Sequence, residues 1–203
     1  MSAFLAILSK MTVNEAALQA LLGRYSVGPK YLVAPGPNDA QLQSMVEAAL
    51  RAPDHGELLP FRFKVIRGDA AKARLANLFA AAARRAGKDE AGCAMDAERA
   101  LRPPLTVAVV ARIDLGHPQV PSHEQWVCVG GALSNFLTAA HLLGFGGKML
   151  SGAKVRDAEI AAAFCAPGET LLGWIALGTP VKPSSGHARK GGVKAVLAEW
   201  DGT

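Results

Sequence analysis

The sequence has few aromatic residues and few cysteines, and it lacks the short motifs that mark most nucleotide and metal sites. Aromatic residues make up 6% of its 203 residues, so we expect its helices to pack mainly through small side chains. It contains no P-loop, GxSxG, HExxH, zinc-finger or Rossmann glycine motif. We therefore expect no metal site, and any nucleotide would have to be bound by a less common arrangement.

The cysteines are three in number, Cys93, Cys128 and Cys165, and no pair has CxxC spacing. An odd count of this kind in apolar surroundings favours buried thiols in a reducing compartment over disulfides or metal ligands. The first apolar run, within residues 1–10, is too short to span a bilayer and has no basic leading region. We expect a cytoplasmic protein without a membrane span.

The charge is positive but dispersed. The formal net charge is +5 and the isoelectric point is near 9.3, yet Lys and Arg do not form a dense run. This pattern favours a mildly basic surface over nucleic-acid binding, which would rest on the charge alone. An anionic small ligand such as a phosphate ester would use the same cations.

The length and composition predict one domain spanning residues 1–203, because half of the residues are hydrophobic and the chain can bury a large core. Residues 1–12 are expected to form a loose extension, and residues 181–203 a tail that packs on the core or on a partner subunit. Apolar periodicity predicts helices over about 13–22, 38–50, 69–86, 95–101, 122–143, 157–164 and 193–200, and strands over 61–66, 105–113 and 171–177, with 148–152 as a short strand or extended turn.

The helix predicted from Ser122 to Leu143 is apolar on nearly every side. A membrane span is the alternative, but Ser134, Asn135 and the other polar residues within it argue against that interpretation. We predict a long core helix at a dimer interface. His141 in this helix is interpreted as a hydrogen-bonded core residue and not as a ligand.

Two polar segments follow helix ends. Arg51 and His55 lie in a turn between the helix over 38–50 and the strand that begins at Phe61. They are either ordinary cations that complement the dipole at a helix C-terminus or part of a ligand-binding turn. Arg24 to Ser26 follow Gly23 and form either an anion site or surface decoration.

Taken together, several motifs resemble those of the FMN-dependent nitroreductase family, in its small NAD(P)H nitroreductase branch. They occur in one order along the chain and are Arg24-Tyr25-Ser26, Arg51-Ala-Pro-Asp-His55 leading to Pro60, Gly144-Phe-Gly-Gly147 with Ser151-Gly152, and Leu177-Gly-Thr-Pro180. The resemblance implies an α+β fold, a mixed sheet wrapped by helices, in a homodimer that holds FMN in clefts at the subunit interface.

The resemblance also implies roles for particular residues. Those matched to FMN contacts are Arg24, Tyr25 and Ser26; Arg51 and His55, from the other subunit; Met149, Leu150 and Ser151, against the isoalloxazine; and Arg189, near the phosphate. Those matched to NAD(P)H contacts are Ala139, Ala140 and Gly144. Lys148 is the candidate for a cation near flavin N1 and O2. No catalytic side chain is expected, because flavin carries the hydride chemistry.

The implied activity is FMN-dependent oxidation of NAD(P)H with reduction of nitroaromatic, quinone or related small acceptors by a ping-pong mechanism. The chain departs from the family at Leu58 and Leu59, where relatives carry polar residues. This departure motivates an alternative, a flavin-binding protein without turnover that stores or delivers the cofactor.

Overall fold

A computed structural model describes residues 15–181 and 192–202 of the chain. Within these ranges the chain forms six α-helices, namely α1 (Glu15–Gly23), α2 (Asp39–Ala49), α3 (Gly68–Arg85), α4 (Glu90–Leu101), α5 (Ser122–Leu142) and α6 (Ala158–Phe164). It also forms five strands, β1 (Leu32–Val33), β2 (Phe61–Ile66), β3 (Leu105–Ala111), β4 (Gly146–Leu150) and β5 (Thr170–Pro180). None of the helices in the described ranges combines the length and the apolarity that a membrane span requires.

The strands form one sheet in the order β1-β5-β3-β2, and β4 also pairs with β5. Every ladder between these strands is antiparallel, and one isolated bridge, between Ser26 and Gly147, is parallel. β3 is buried along its whole length, as its continuous apolar sequence predicts. The predicted α+β fold, a sheet wrapped by helices, is confirmed, but the ladders are all antiparallel where a mixed sheet was predicted.

Each face of the sheet is covered by helices, and the alternation of side chains along β3 separates two cores. Val107 and Val109 join the core beneath α2 and α5, which also contains Phe136. Ala108 and Val110 point the other way, into the core beneath α3, α4 and α6. The sheet is therefore the middle of three layers.

α2 begins with a capping box that fixes where the helix starts and so where its C-terminal turn falls. The side chain of Asn38 accepts the backbone N–H of Gln41 at 2.9 Å, and the Gln41 side chain accepts the backbone N–H of Asn38 at 3.0 Å. Leu42, Met45 and Ala49 then pack on the sheet. Arg51 follows directly in the turn that leads to β2.

α5 spans 21 residues and buries most, but not all, of the face that its sequence predicts to be buried. Of the face predicted to be buried, Val129, Phe136 and Ala140 are buried, Leu133 and Leu137 are half-buried, and Trp126 and Gly130 are exposed. Cys128 and Ala132, predicted to lie outside this face, are also buried. Among residues 15–181 and 192–202, α2 and the sheet cover one side of α5, and the stripe that contains Trp126 and Gly130 is left uncovered.

Several elements differ from those predicted, and three of the differences have an identifiable cause. α4 begins at Glu90, earlier than predicted, because Asp89 caps it through a bond from the N–H of Gly92 at 2.8 Å. β5 continues to Pro180, because β1 pairs with its end. The tail helix predicted over 193–200 is wrong: a single 3₁₀ turn, Val193–Ala195, is present. Its apolar side chains are exposed, and a helix this short is marginal without packing.

Candidate functional site

A cavity of about 380 Å³ lies between α1, the end of α5 and the start of β4. Its lining includes Arg24, Tyr25, Gly144 and Gly147. Four residues that the sequence places in two separate motifs are therefore neighbours. Arg24 and Tyr25 are half-buried, so the guanidinium is partly shielded from water and its charge acts more strongly on a bound anion.

The segment that follows Arg24 runs along the outer edge of β4. Ser26 forms the parallel bridge to Gly147, and the N–H of Val27 donates to the carbonyl oxygen of Gly147 at 3.1 Å. Glycine allows this approach: a methyl group on Gly146 would lie 2.7 Å from Cδ2 of Leu32 and 2.9 Å from Cγ2 of Val27. The glycines after α5 therefore let the Arg24 segment sit against the strand.

The last residues of β4 also have backbone groups along the outer edge of this strand. Backbone groups alternate in direction along a strand, so Met149 presents its N–H and C=O on the side where Gly147 accepts Val27. The side chains of Met149 and Leu150 lie on opposite faces of the sheet. Met149 packs against the core beneath α5, and Leu150 packs with Val27 and Leu32 on the other face. Ser151 is exposed just beyond the strand. A ligand along this edge would meet backbone groups of Met149 and the side chain of at most one of Met149 and Leu150.

Arg51 and His55 lie in a separate, exposed turn. The Nδ1 atom of His55 lies 2.7 Å from Oε2 of Glu124 on α5. Left-handed backbone follows at Glu57 and Leu59, with φ values of 52° and 49°. Such geometry is costly for non-glycine residues and is typical of functional turns. A carboxylate oxygen of Asp54 accepts the N–H of Leu59 at 2.8 Å and holds the turn.

The two groups of residues lie at opposite ends of α5. His55 contacts Glu124 in the first turn of the helix, and Gly23, next to Arg24, lies near His141 in its last turn. At 1.5 Å per residue these points are about 25 Å apart along the helix axis. Within one chain, Arg51 and His55 are therefore remote from Arg24 and Ser26.

The residues matched to NAD(P)H contacts differ in access. Gly144 is exposed and lines the cavity beside Arg24, and Ala139 is half-buried. Ala140 is fully buried in the core, so its side chain contributes packing. Lys148 is half-buried in β4. Arg189 lies outside the described residues.

The fold brings in two residues that sequence patterns did not assign to the site. Glu124 is 69 residues from its partner His55, so no local spacing could indicate the pair. His141, predicted to be a core residue, is half-buried and lines the cavity beside Arg24. Only the packing of α1 against the end of α5 identifies it.

The thiols are free and contribute no nucleophile. Cys93 and Cys128 are buried and Cys165 is half-buried, as predicted. Burial, together with the nearby Asp54 carboxylate, raises the pKa of Cys128 to about 11. Burial also raises the pKa of Cys165. Because the thiolate is the reactive form, Cys128 is inert near neutral pH.

The chain resembles known proteins over most of its length. The profile of the nitroreductase family matches residues 21–179. YdjA of Escherichia coli (strain K12), an NAD(P)H nitroreductase by name, is 34% identical over 165 residues, which are 81% of this chain and 88% of YdjA. A protein of Haemophilus influenzae with the same descriptive name is 33% identical over 161 residues, 79% of this chain and 87% of that protein.

Solved structures share the fold. A nitroreductase-like family protein from Bacillus cereus superposes with a TM-score of 0.75 at 20% identity, over 95% of this chain and 100% of that one. A nitroreductase from Desulfovibrio desulfuricans, solved in complex with FMN, superposes with a TM-score of 0.66 at 24% identity, over 91% of this chain and 96% of that one.

Proposed function

This chain belongs to the nitroreductase family, and from that premise we propose that it is an FMN-dependent NAD(P)H oxidoreductase. The observation that carries the proposal is the convergence of Arg24, Tyr25 and Ser26 on the outer edge of β4, next to Gly144. The names of YdjA and of the Haemophilus influenzae protein support the nicotinamide donor. The FMN bound by the Desulfovibrio desulfuricans structure supports the cofactor.

The donors and acceptors along β4 fit the polar parts of FMN. Arg24 offers a permanent charge and a planar pair of N–H donors to the phosphate, and Ser26 offers a hydroxyl. The backbone of Met149 offers one donor and one acceptor, which match the polar edge of the flavin ring. Lys148, in the same strand, is the proposed cation near flavin N1 and O2.

A second copy of the chain completes the site. Arg51 and His55 are about 25 Å along α5 from the Arg24 segment of their own chain, so they would meet the same flavin only across a subunit interface. The uncovered stripe of α5 supports such an interface, because Trp126, Val127 and Leu142 are exposed on it and Gly130 leaves room for close approach. We infer a homodimer with two flavin sites.

FMN, when bound, supplies the redox chemistry by accepting a hydride from NAD(P)H and passing electrons to an acceptor. The chain binds and orients the partners. The edge of β4 would hold the polar side of the flavin, and the cavity beside Gly144 would admit the nicotinamide or the acceptor in turn. Because NAD(P)H and the electron acceptor would occupy the same place one after the other, the mechanism would be ping-pong, with nitroaromatic, quinone or related acceptors.

Anaerobic reduction tests this function. The purified protein, supplied with FMN, should show the visible absorption band of bound flavin, and NADH or NADPH should bleach that band. A quinone or nitroaromatic added afterwards should restore it in a second, separate step. Bound flavin that neither NADH nor NADPH bleaches would point to storage or delivery instead. Leu58 and the exposed Leu59, whose side chains carry no amide group, would then be the first residues to examine.

A colourless protein that binds no FMN, combined with DNA affinity that falls steeply with salt, would contradict the proposal altogether. Nucleic-acid binding would then account for the positive charge.

A further inference from the structure

A second cavity, of about 480 Å³, lies on the face of the sheet that α3 and α4 cover. Its walls are mostly apolar and include Leu75 and Phe79 of α3, Leu150 of β4 and Trp174 of β5. The volume lies in the range of small-molecule pockets. An aromatic ligand of one or two rings would fit.

The charged residues that line this cavity are mostly cations. Four cations line it, Lys30, Arg99, Arg102 and Lys154, against one carboxylate, Asp96. The net charge of the lining is therefore positive, and it favours an anionic ligand.

Asp96 is 1% exposed, and three cations contact its single carboxylate. The Nζ atoms of Lys88 and Lys154 each lie 2.7 Å from its carboxylate, and a guanidinium nitrogen of Arg99 lies 3.2 Å away. Burial alone would raise the pKa of Asp96, but hydrogen bonds from Lys154 and Lys88 lower it below the ordinary value. Two of these cations, Lys154 and Arg99, line the cavity, and Lys88 contacts Asp96 from outside it, so the charge of Asp96 is more than balanced.

The wall also contains an unpaired donor. Trp174 is 4% exposed, and among the described residues its Nε1 is the buried side-chain atom without a hydrogen-bond partner. Buried indole N–H groups nearly always have an acceptor. Cations lie nearby: Lys154 Nζ is 5.3 Å from the centre of the Phe79 ring, which is 4.9 Å from the centre of the Trp174 ring.

We propose that this cavity binds a small aromatic carboxylate. Its ring lies among Leu75, Phe79 and Leu150, and its carboxylate lies beside the cations Arg99 and Lys154. A small turn of the Trp174 side chain would let its buried Nε1 donate to the same carboxylate. The site is separate from the proposed flavin cradle, and the two share only the wall at Leu150 and Ser151. The inference does not depend on the flavin being bound.

Calorimetric titration of the whole protein, with and without added FMN, tests the site. Naphthoate is the probe, and naphthamide, its uncharged amide, is the control. We expect saturable binding of one naphthoate per chain, about tenfold tighter or more than naphthamide, since a charge-assisted contact is lost in the amide. Equal affinities would overturn the proposal, and so would displacement of naphthoate by FMN.

The indole proton gives a direct readout at Trp174. The chain has three tryptophans, and Trp126 and Trp200 are exposed, so the double variant W126F/W200F identifies the Trp174 N–H resonance in the NMR spectrum. Naphthoate should shift this resonance downfield, because the N–H gains an acceptor. An unchanged resonance at saturating naphthoate would contradict the geometry.

A matched pair of charge variants distinguishes a cation that lines the cavity from the general positive charge of the protein. Arg99→Gln should weaken naphthoate binding about tenfold. Arg84→Gln should leave it within about twofold, because Arg84 pairs with Glu90 on the surface and does not line the cavity. Equal effects of the two substitutions would overturn the assignment.

Discussion

Alanine at Gly173 should destabilise the protein by about 3 to 5 kcal/mol, the cost of a backbone overlap in a strand core. Gly173 lies in β5 with a φ of 143°, and a methyl group there would overlap the carbonyl oxygen of Leu150 and lie 3.0 Å from its carbonyl carbon. β5 has no room to move away, because it pairs with β3 on its other side. Thermal unfolding should show a fall in midpoint on the order of 10 °C.

Gly168→Ala is the matched control. Gly168 has a φ of 81°, but a methyl group there would meet nothing within 4 Å. Its replacement should cost only the backbone conformation, about 1 kcal/mol. If both variants lost the same stability, the overlap with Leu150 would not be the cause, and the close packing of β4 on β5 would be in error.

Alanine at Arg24 should weaken FMN binding about 10- to 100-fold, the usual value of a charge-assisted contact. The proposal places this guanidinium at the phosphate, and its half-buried position reduces screening by water. Fluorescence titration of apoprotein with FMN measures the effect, because bound flavin is commonly quenched. Riboflavin, which lacks the phosphate, should bind both forms of the protein with similar affinity.

Arg74→Ala controls for the loss of one positive charge. Arg74 is exposed on α3, away from the cavity that Arg24 lines. FMN affinity should change by less than about twofold, since isolated surface charges act weakly. If Arg74→Ala weakened FMN binding as much as Arg24→Ala does, the effect of Arg24 would come from the overall charge and not from a contact with the phosphate.

Much of the fold could be predicted from the sequence because its strongest patterns are local. The continuous apolar run of β3 and the period of α2 identify both elements directly. The two-residue β1 carries no such pattern, since it exists only because the end of β5 pairs with it. The buried face of α5 was predicted only in part for a related reason: a helix that is apolar all round does not reveal which side meets the sheet.

The candidate site could be predicted as a set of motifs but not as an arrangement. The Arg24 and Gly147 motifs meet at a bridge between residues far apart in the chain, and only the resemblance to a family linked them beforehand. The pairing of His55 with Glu124, and the cluster around Asp96, depend on helix packing that no sequence spacing encodes.

The central claim is that each flavin is held by Arg24 of one chain and Arg51 of another, and a mixed dimer tests it most directly. Chains carrying Arg24→Ala and Arg51→Ala, co-expressed with different tags and purified through both, would form dimers with one intact and one doubly altered site. We predict that each homodimeric variant binds FMN weakly, whereas the mixed dimer binds one FMN with the affinity of the unaltered protein. If both residues served the same site from a single chain, every site in the mixed dimer would be damaged. FMN binding no tighter than in the parent variants would therefore contradict the account.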